Sequence, residues 1–207
     1  MSARDAILSR LRTAGANTTL PRPSAPPPAL VSAGEPHHVL VDRFREELRL
    51  IGVASWLEAS ADDVRARVAE LAGDASISSW QPSELPYDVG RFLIDPATPE
   101  SPRDVQAAAG VGITGCDAAI AETGSLVMLS GPGRSRAVSL LPPFHIAIVR
   151  SDQLYESMGE FFAQRRSDIV KAASCTFITG PSRSADIEFT LTLGVHGPGR
   201  VAVVIGP

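Results

Sequence analysis

Residues 176–199 read T-F-I-T-G-P-S-R-S-A-D-I-E-F-T-L-T-L-G-V-H-G-P-G. An apolar strand, Thr176–Thr179, runs straight into Gly180-Pro181. A polar segment with Ser182, Arg183, Ser184, Asp186 and Glu188 follows, and it closes on Gly194-Val195-His196-Gly197-Pro198. Glycine and proline bracket the charged residues, so the backbone takes special dihedrals just where polar side chains gather. A chain with no catalytic job rarely needs that combination, although a tight surface loop also produces it.

Outward from that stretch, strand and helix patterns alternate. Residues 2–14 place Ala6, Ile7, Leu8 and Leu11 at near-helical spacing and predict a short amphipathic helix. Thr18–Pro36 is rich in proline, including Pro26-Pro27-Pro28, and reads as an extended arm. His38–Leu50 puts Val41, Phe44, Leu48 and Ile51 on one face and stops at Gly52. Val53–Leu57 is a strand candidate. Ser60 caps a helix over Ala61–Leu71, with Asp63 at the capping-box position and Gly73 as the stop. Short strands are expected at Ile77–Trp80 and Arg91–Ile94, and Ser101-Pro102 opens a helix that ends by Gly110. Further strands fall at Ala118–Ala121, Ser125–Leu129, His145–Val149, Ser174–Ile178 and Val201–Ile205, with an amphipathic helix over Ser151–Arg165. The alternation suggests a three-layer α/β domain over 37–207, preceded by a helix and Pro-rich arm at 1–36. The N-terminal helix either packs against a partner, as in a homo-oligomer, or wraps its own domain, and a loosely tethered end reads the same way.

The 207 residues suffice for one sizeable core. A net charge of -4 and a pI of about 5.6 give no support to nucleic-acid or anionic-membrane binding. Only two cysteines occur, Cys116 and Cys175, in no C-x-x-C pair, so neither a zinc ribbon nor an iron–sulfur cluster is written locally. They are read as buried free thiols rather than as metal ligands with His145 and His196, and no metal site is expected. No run is apolar enough to span a bilayer, and a cytoplasmic location is the expectation.

Four places suit a ligand. Glu122 stands between two apolar runs, beside Thr123 and the turn-forming Gly124; a carboxylate there is costly unless hydrogen-bonded or used. It either belongs to a site or points into water at a strand end. Gly131 and Gly133 with Arg134 and Arg136 form a glycine-rich turn whose amides and guanidinium forks suit a carboxylate or phosphate, although a solvated turn reads the same way. After Gly180, Ser182 or Ser184 can cap a short helix whose free amides bind an anion, with Arg183 adding charge; the same residues also read as a self-capping turn in which Asp186 supports Ser184. His196, on its own tight turn, suits acid–base work or donation to an anionic oxygen, or is a structural loop histidine. No nucleophilic triad is apparent.

Three segments carry a family resemblance: G-I-T-G-C-D-A-A-I-A-E-T-G-S-L (Gly112–Leu126), S-L-L-P-P-F-H-I (Ser139–Ile146), and Ile178–Pro198. In that order they resemble the lactate utilization protein C family, the LUD domain. The resemblance implies the fold shared by sugar-phosphate isomerases and family I CoA transferases, a three-layer α/β/α Rossmann-like domain with a mixed sheet. It also implies a part in oxidising L-lactate to pyruvate beside iron–sulfur partner subunits, which would carry the clusters that this chain lacks the cysteines to hold. Family I CoA transferases place a nucleophilic glutamate in a Glu-Asn-Gly turn; Glu122-Thr123-Gly124 is similar, with threonine for asparagine. The first expectation is therefore a non-redox component that binds a small carboxylate or phosphate-bearing ligand. The alternatives are a stand-alone transferase or ligase using Glu122 and a purely structural partner module.

Overall fold

The computed structural model describes residues 3–16, 34–184 and 192–207, and the chain divides into two compact units, Met1–Leu30 and Val31–Pro207. The first unit contains helix α1 (Ala3–Ala16), which leaves Ile7, Leu8 and Leu11 exposed. Most of the Pro-rich arm lies outside the described residues.

The second unit opens with α2 (His37–Leu50), followed by β1 (Ala54–Leu57), α3 (Ala61–Ala72) and β2 (Ile77–Ser79). The Ser60 hydroxyl accepts the Asp63 amide and caps α3, which ends at Gly73. After β2 the chain does not form the expected strand at Arg91–Ile94. Two 3₁₀ segments, Pro82–Glu84 and Pro86–Phe92, take its place. Tyr87 and Asp88 sit at positive φ there, and Phe92 and Ile94 face outward. An apolar triplet with exposed members has no sheet edge to join.

Then come α4 (Arg103–Ala107), β3 (Val111–Thr114), β4 (Ala118–Ile120), β5 (Ser125–Leu129), the short α5 (Ala137–Leu140) and β6 (Phe144–Arg150). The helix expected over Ser151–Arg165 is three pieces: a 3₁₀ turn at Ser151–Gln153, a two-residue strand β7 (Leu154–Tyr155), and α6 (Met158–Lys171). Ser157 breaks the run because its hydroxyl accepts the Glu160 amide and so begins α6 anew. The chain closes with β8 (Cys175–Ile178), β9 (Arg183–Ser184), β10 (Thr192–Leu193) and β11 (Arg200–Gly206).

The central sheet has the order β1-β11-β6-β3-β2 and is parallel throughout. A second sheet, β7-β4-β5-β8, holds the mixed pairings, antiparallel at β4–β5 and β5–β8 and parallel at β4–β7. Strand alternation sorts the central core. Phe144, Ile146 and Ile148 pack with Val64 and Val68 of α3 and with Trp80. Ala147 and Val149 pack the other way, against Phe44 and Leu48 of α2 and Leu126 of the second sheet. The outer face of the second sheet is closed by Phe161 of α6 against Ala118, Ile120 and Val127. Burying a leucine- or phenylalanine-sized side chain is worth about 1.5–3 kcal/mol, so the second sheet is locked between two apolar layers. No helix among the described residues is long and apolar enough to cross a membrane.

Candidate functional site

The β4–β5 hairpin sets the geometry, because the sequence-predicted residues fall at its two ends. At its tip, Gly124 adopts φ 65°, and a Cβ there would lie 3.0 Å from the Leu48 nitrogen. Only glycine lets the hairpin turn this close to the end of α2. Thr123 Oγ1, Ser125 Oγ and Thr179 Oγ1 form a chain of hydroxyl contacts, each 2.7 Å. Glu122 is exposed at the same tip, and its amide donates to the Glu156 carbonyl at 3.0 Å.

From Thr179 the chain passes Gly180, at φ 87° beside Ile51, and the Arg183 guanidinium donates to the Ile51 carbonyl at the end of α2. Ser182 is the knot of the next corner. Its amide donates to Pro198 O at 2.9 Å, its carbonyl accepts from the Gly194 amide at 2.9 Å, and its hydroxyl accepts from the His196 amide at 3.3 Å. Arg183–Ser184 then pairs antiparallel with Thr192–Leu193. The expected helix cap at Ser182 or Ser184 is therefore a β-ladder: backbone amides there are spent on strand pairing rather than left free for an anion. Asp186 and Glu188 lie outside the described residues.

Thr179, Gly180, Ser182 and His196 border a hollow of about 200 Å³. Its floor is His145, which sequence reasoning weighed only as a metal ligand. The ring is fully buried, and its Nε2 lies 2.9 Å from Thr114 Oγ1 on the neighbouring strand. Nδ1 meets no hydrogen-bonding partner among the described residues. Burial pushes the imidazole pKa down to about 4, so the ring is neutral at physiological pH. The signal that singles it out is a histidine inside the apolar strand F-H-I-A-I-V, with Gly112 as its register partner on β3. Ser139 of α5 and Thr176 also border the hollow.

Arg134 is elsewhere, at the base of the hairpin. The length of β4, about 10 Å, separates it from the Glu122 tip. Its N–H donates to Asp117 Oδ1 at 2.7 Å, and Glu84 stands 3.5 Å away. The other Asp117 oxygen accepts the Leu129 amide at 2.7 Å. These groups line a separate cleft of about 290 Å³ at the carboxyl ends of β2, β3 and β6, with Trp80, Cys116, Arg150 and Gln153. The Arg134 guanidinium is thus already neutralised by carboxylates and is not an open fork. Arg136 is exposed where α5 begins, its carbonyl accepting the Ser139 hydroxyl at 3.0 Å. The four predicted corners accordingly form two groups. Gly180, Ser182 and His196 border the hollow, and Thr123 and Gly124 connect to it through the Ser125–Thr179 contact and the end of α2, with Glu122 exposed beside them, whereas Arg134 of the Gly131–Arg136 turn belongs to the other cleft.

The thiols are also separate. Cys116 is buried, its pKa pushed up by burial, and it contacts Gln153 Oε1 at 3.5 Å. Cys175 is half-buried rather than fully buried as expected. Among the described residues no three His, Cys, Asp or Glu side chains gather closely enough to hold a metal ion.

Comparison with known proteins yields a consistent set. The LUD domain family model matches residues 41–205. A lactate utilization protein C of Deinococcus radiodurans is 31% identical over 209 residues, covering 99% of this chain and 97% of that protein. Proteins of the same name from an Exiguobacterium species and from Bacillus subtilis are 41% identical over 137 residues and 42% identical over 101 residues. Those matches cover 64% and 47% of this chain and span 58% and 42% of the relatives' own length. Among solved structures, a DUF162 family protein from Deinococcus radiodurans superposes with a TM-score of 0.64 at 23% identity, over 84% of this chain and 99% of that one. At that identity the likeness bears on the fold.

Proposed function

The chain belongs to the LUD domain family, and on that premise we propose that it is a cytoplasmic, non-redox component of an L-lactate oxidation system. In this reading it works with iron–sulfur partner subunits and holds a small anionic ligand at the corner formed by Thr179, Gly180, Ser182 and His196. The observation that carries the reading is the family match across 41–205 together with the near-full-length Deinococcus relative, whose name is lactate utilization protein C. The cysteine inventory supports placing the redox centres on partners, since two thiols are too few for a four-cysteine cluster. The corner itself supports ligand binding. It combines hydroxyls, a histidine and glycine-permitted backbone turns beside a hollow open to the surface.

The test is reconstitution. The purified chain alone is expected to give no lactate-dependent reduction of an artificial acceptor. A mixture with the iron–sulfur subunits is expected to turn over lactate, and leaving this chain out is expected to lower the rate. Turnover by the isolated chain would overturn the non-redox assignment, and an unchanged rate on omission would overturn its part in the system.

A further inference from the structure

We propose that the apolar stripe of α1 docks into the groove between α3 and residues 89–94 of a second copy of this chain, so that two copies exchange helices and form a dimer.

The helix is one half of the match. Ile7, Leu8 and Leu11 fall on one face of α1 at helical spacing, and they are 59%, 37% and 63% exposed. Three neighbouring apolar anchors left to water on one helix face are the pattern of a helix-in-groove contact. The rest of α1 is basic, with Arg4, Arg10 and Arg12 against Asp5 alone.

The groove is the other half. Val68, Ala69 and Ala72 of α3 form one wall, and Phe92, Leu93 and Ile94 form the other. Phe92 is 63% exposed and Ile94 89%. A single exposed apolar residue is ordinary, whereas two on the lip of an apolar groove mark a contact site. Ala69, Ala72 and Gly73 are small, which lets a second helix come close to α3. A helix of 14 residues is about 21 Å long and one of 12 residues about 18 Å, so α1 matches α3 in length.

Charge selects the occupant. Asp74 in the groove lining and Asp95 next to Ile94 are exposed and enter no ion pair among the described residues. Arg65, the cation in the lining, is engaged by the Asp62 carboxylate and by the Tyr87 carbonyl at 2.8 Å, and it lies 5.1 Å from the centre of the Phe92 ring. The lip therefore presents free carboxylates to the arginines of α1. The other exposed apolar patch, with Leu141 and Leu193, is lined by no acid among the described residues and gives those arginines no counter-charge. Exposed pairs of this kind set register and orientation more than affinity. Closure selects a second copy. Each copy brings one helix and one groove, so a two-fold dimer makes the same contact twice, and the second contact forms at high effective concentration.

The test is sedimentation velocity of the full-length chain over a concentration series. The expected result is a species of twice the 21.8 kDa chain mass that dissociates on dilution. Leu11→Asp on the helix and Ile94→Asp on the groove lip are each expected to raise the dimer dissociation constant at least about tenfold, since each puts a charge at an anchor of the contact. Both side chains are exposed in the single chain, so both variants should fold, as circular dichroism would check. Leu193→Ser, in the other patch, is expected to leave the dimer unchanged. Mixing the two aspartate variants is the decisive arm. The helix variant keeps its groove and the groove variant keeps its helix, so an equal mixture restores one intact contact and should associate more tightly than either variant alone. A wild-type chain that stays monomeric would overturn the proposal. So would a dimer indifferent to both aspartate variants, a dimer weakened as much by Leu193→Ser, or a mixture no tighter than its components.

Discussion

Replacing His145 by glutamine should change how stability depends on acid, and the size follows from the buried ring. In the folded protein the imidazole stays neutral down to about pH 4, because burial disfavours its charged form. In the unfolded chain the same ring takes its proton near the ordinary histidine value of about 6.5. Between those two values the unfolded state binds more protons than the folded one, so stability falls as pH falls through that window. Above about 6.5 the contribution is fully present, and below about 4 no more is lost. The window is about 2.5 units wide, and at about 1.4 kcal/mol per unit the folded state loses about 3 kcal/mol. Glutamine does not titrate, so the variant lacks this loss. At pH 7.5 it should be the weaker protein by about 1–3 kcal/mol, having disturbed the buried contact with Thr114. The measurement is urea unfolding at a series of pH values from 7.5 to 4, followed by the fluorescence of the buried Trp80. The wild-type advantage should shrink by about 3 kcal/mol across the window and can reverse in sign near pH 4. A difference that stays constant with pH would show that the native ring titrates normally, and the dry, neutral environment inferred for His145 would be wrong.

Gly124→Ala should destabilise the fold by about 1–3 kcal/mol, because the residue sits at φ 65° and its new methyl would press on the backbone at the end of α2; an unchanged denaturation midpoint would refute the close approach. Arg134→Ala should cost about 1–3 kcal/mol by leaving the buried Asp117 carboxylate with only its backbone donor, and calorimetric melting would read it. Incubation with acyl-CoA should leave the intact mass of the chain unchanged, whereas an adduct at Glu122 would favour the transferase reading.

The parallel strands were readable because strands buried on both faces are near-continuous apolar runs, as in His145–Val149 and Val201–Ile205. β3 was not read as a strand, since V-G-I-T carries a glycine that weakens the pattern. The structure supplies its reason: a Cβ at Gly112 would lie 2.0 Å from the Val138 carbonyl of α5. The Ser151–Arg165 segment misled through its periodicity, which continued across the Ser157 cap, while Leu154 had gone to a strand beside β4. In the site, Ser182 and His196 were legible because glycine and proline announce their turn. His145 was visible only as a histidine inside an apolar strand, and three-dimensional pairing with Thr114 is what sets it apart from a core residue. Arg134 failed in the opposite way. Its glycine-rich turn looked open, yet a carboxylate 17 residues earlier already occupied its guanidinium.

The placement of the hollow follows from the topology more than from any single motif. β8 ends in the second sheet, paired with β5, and β11 begins in the central sheet, paired with β6. The chain between them must cross from one sheet to the other, and the Ser182–Pro198 and Ser182–His196 hydrogen bonds tie its two ends together at that crossing. Thr176–Thr179 therefore supplies one wall from the second sheet, and His145 and Val201 supply the other from the central sheet. A ligand held there would touch both sheets at once and would bridge two apolar layers that otherwise pack through Leu126 and Ala147. Binding at such a seam stabilises the folded chain by the usual mass-action term, about 2.7 kcal/mol at a hundredfold excess over Kd. The gain should be largest in amide protection of β8 and the start of β11, where the two walls meet. Protection that rose equally over α3, on the far face of the central sheet, would instead place the ligand outside the seam.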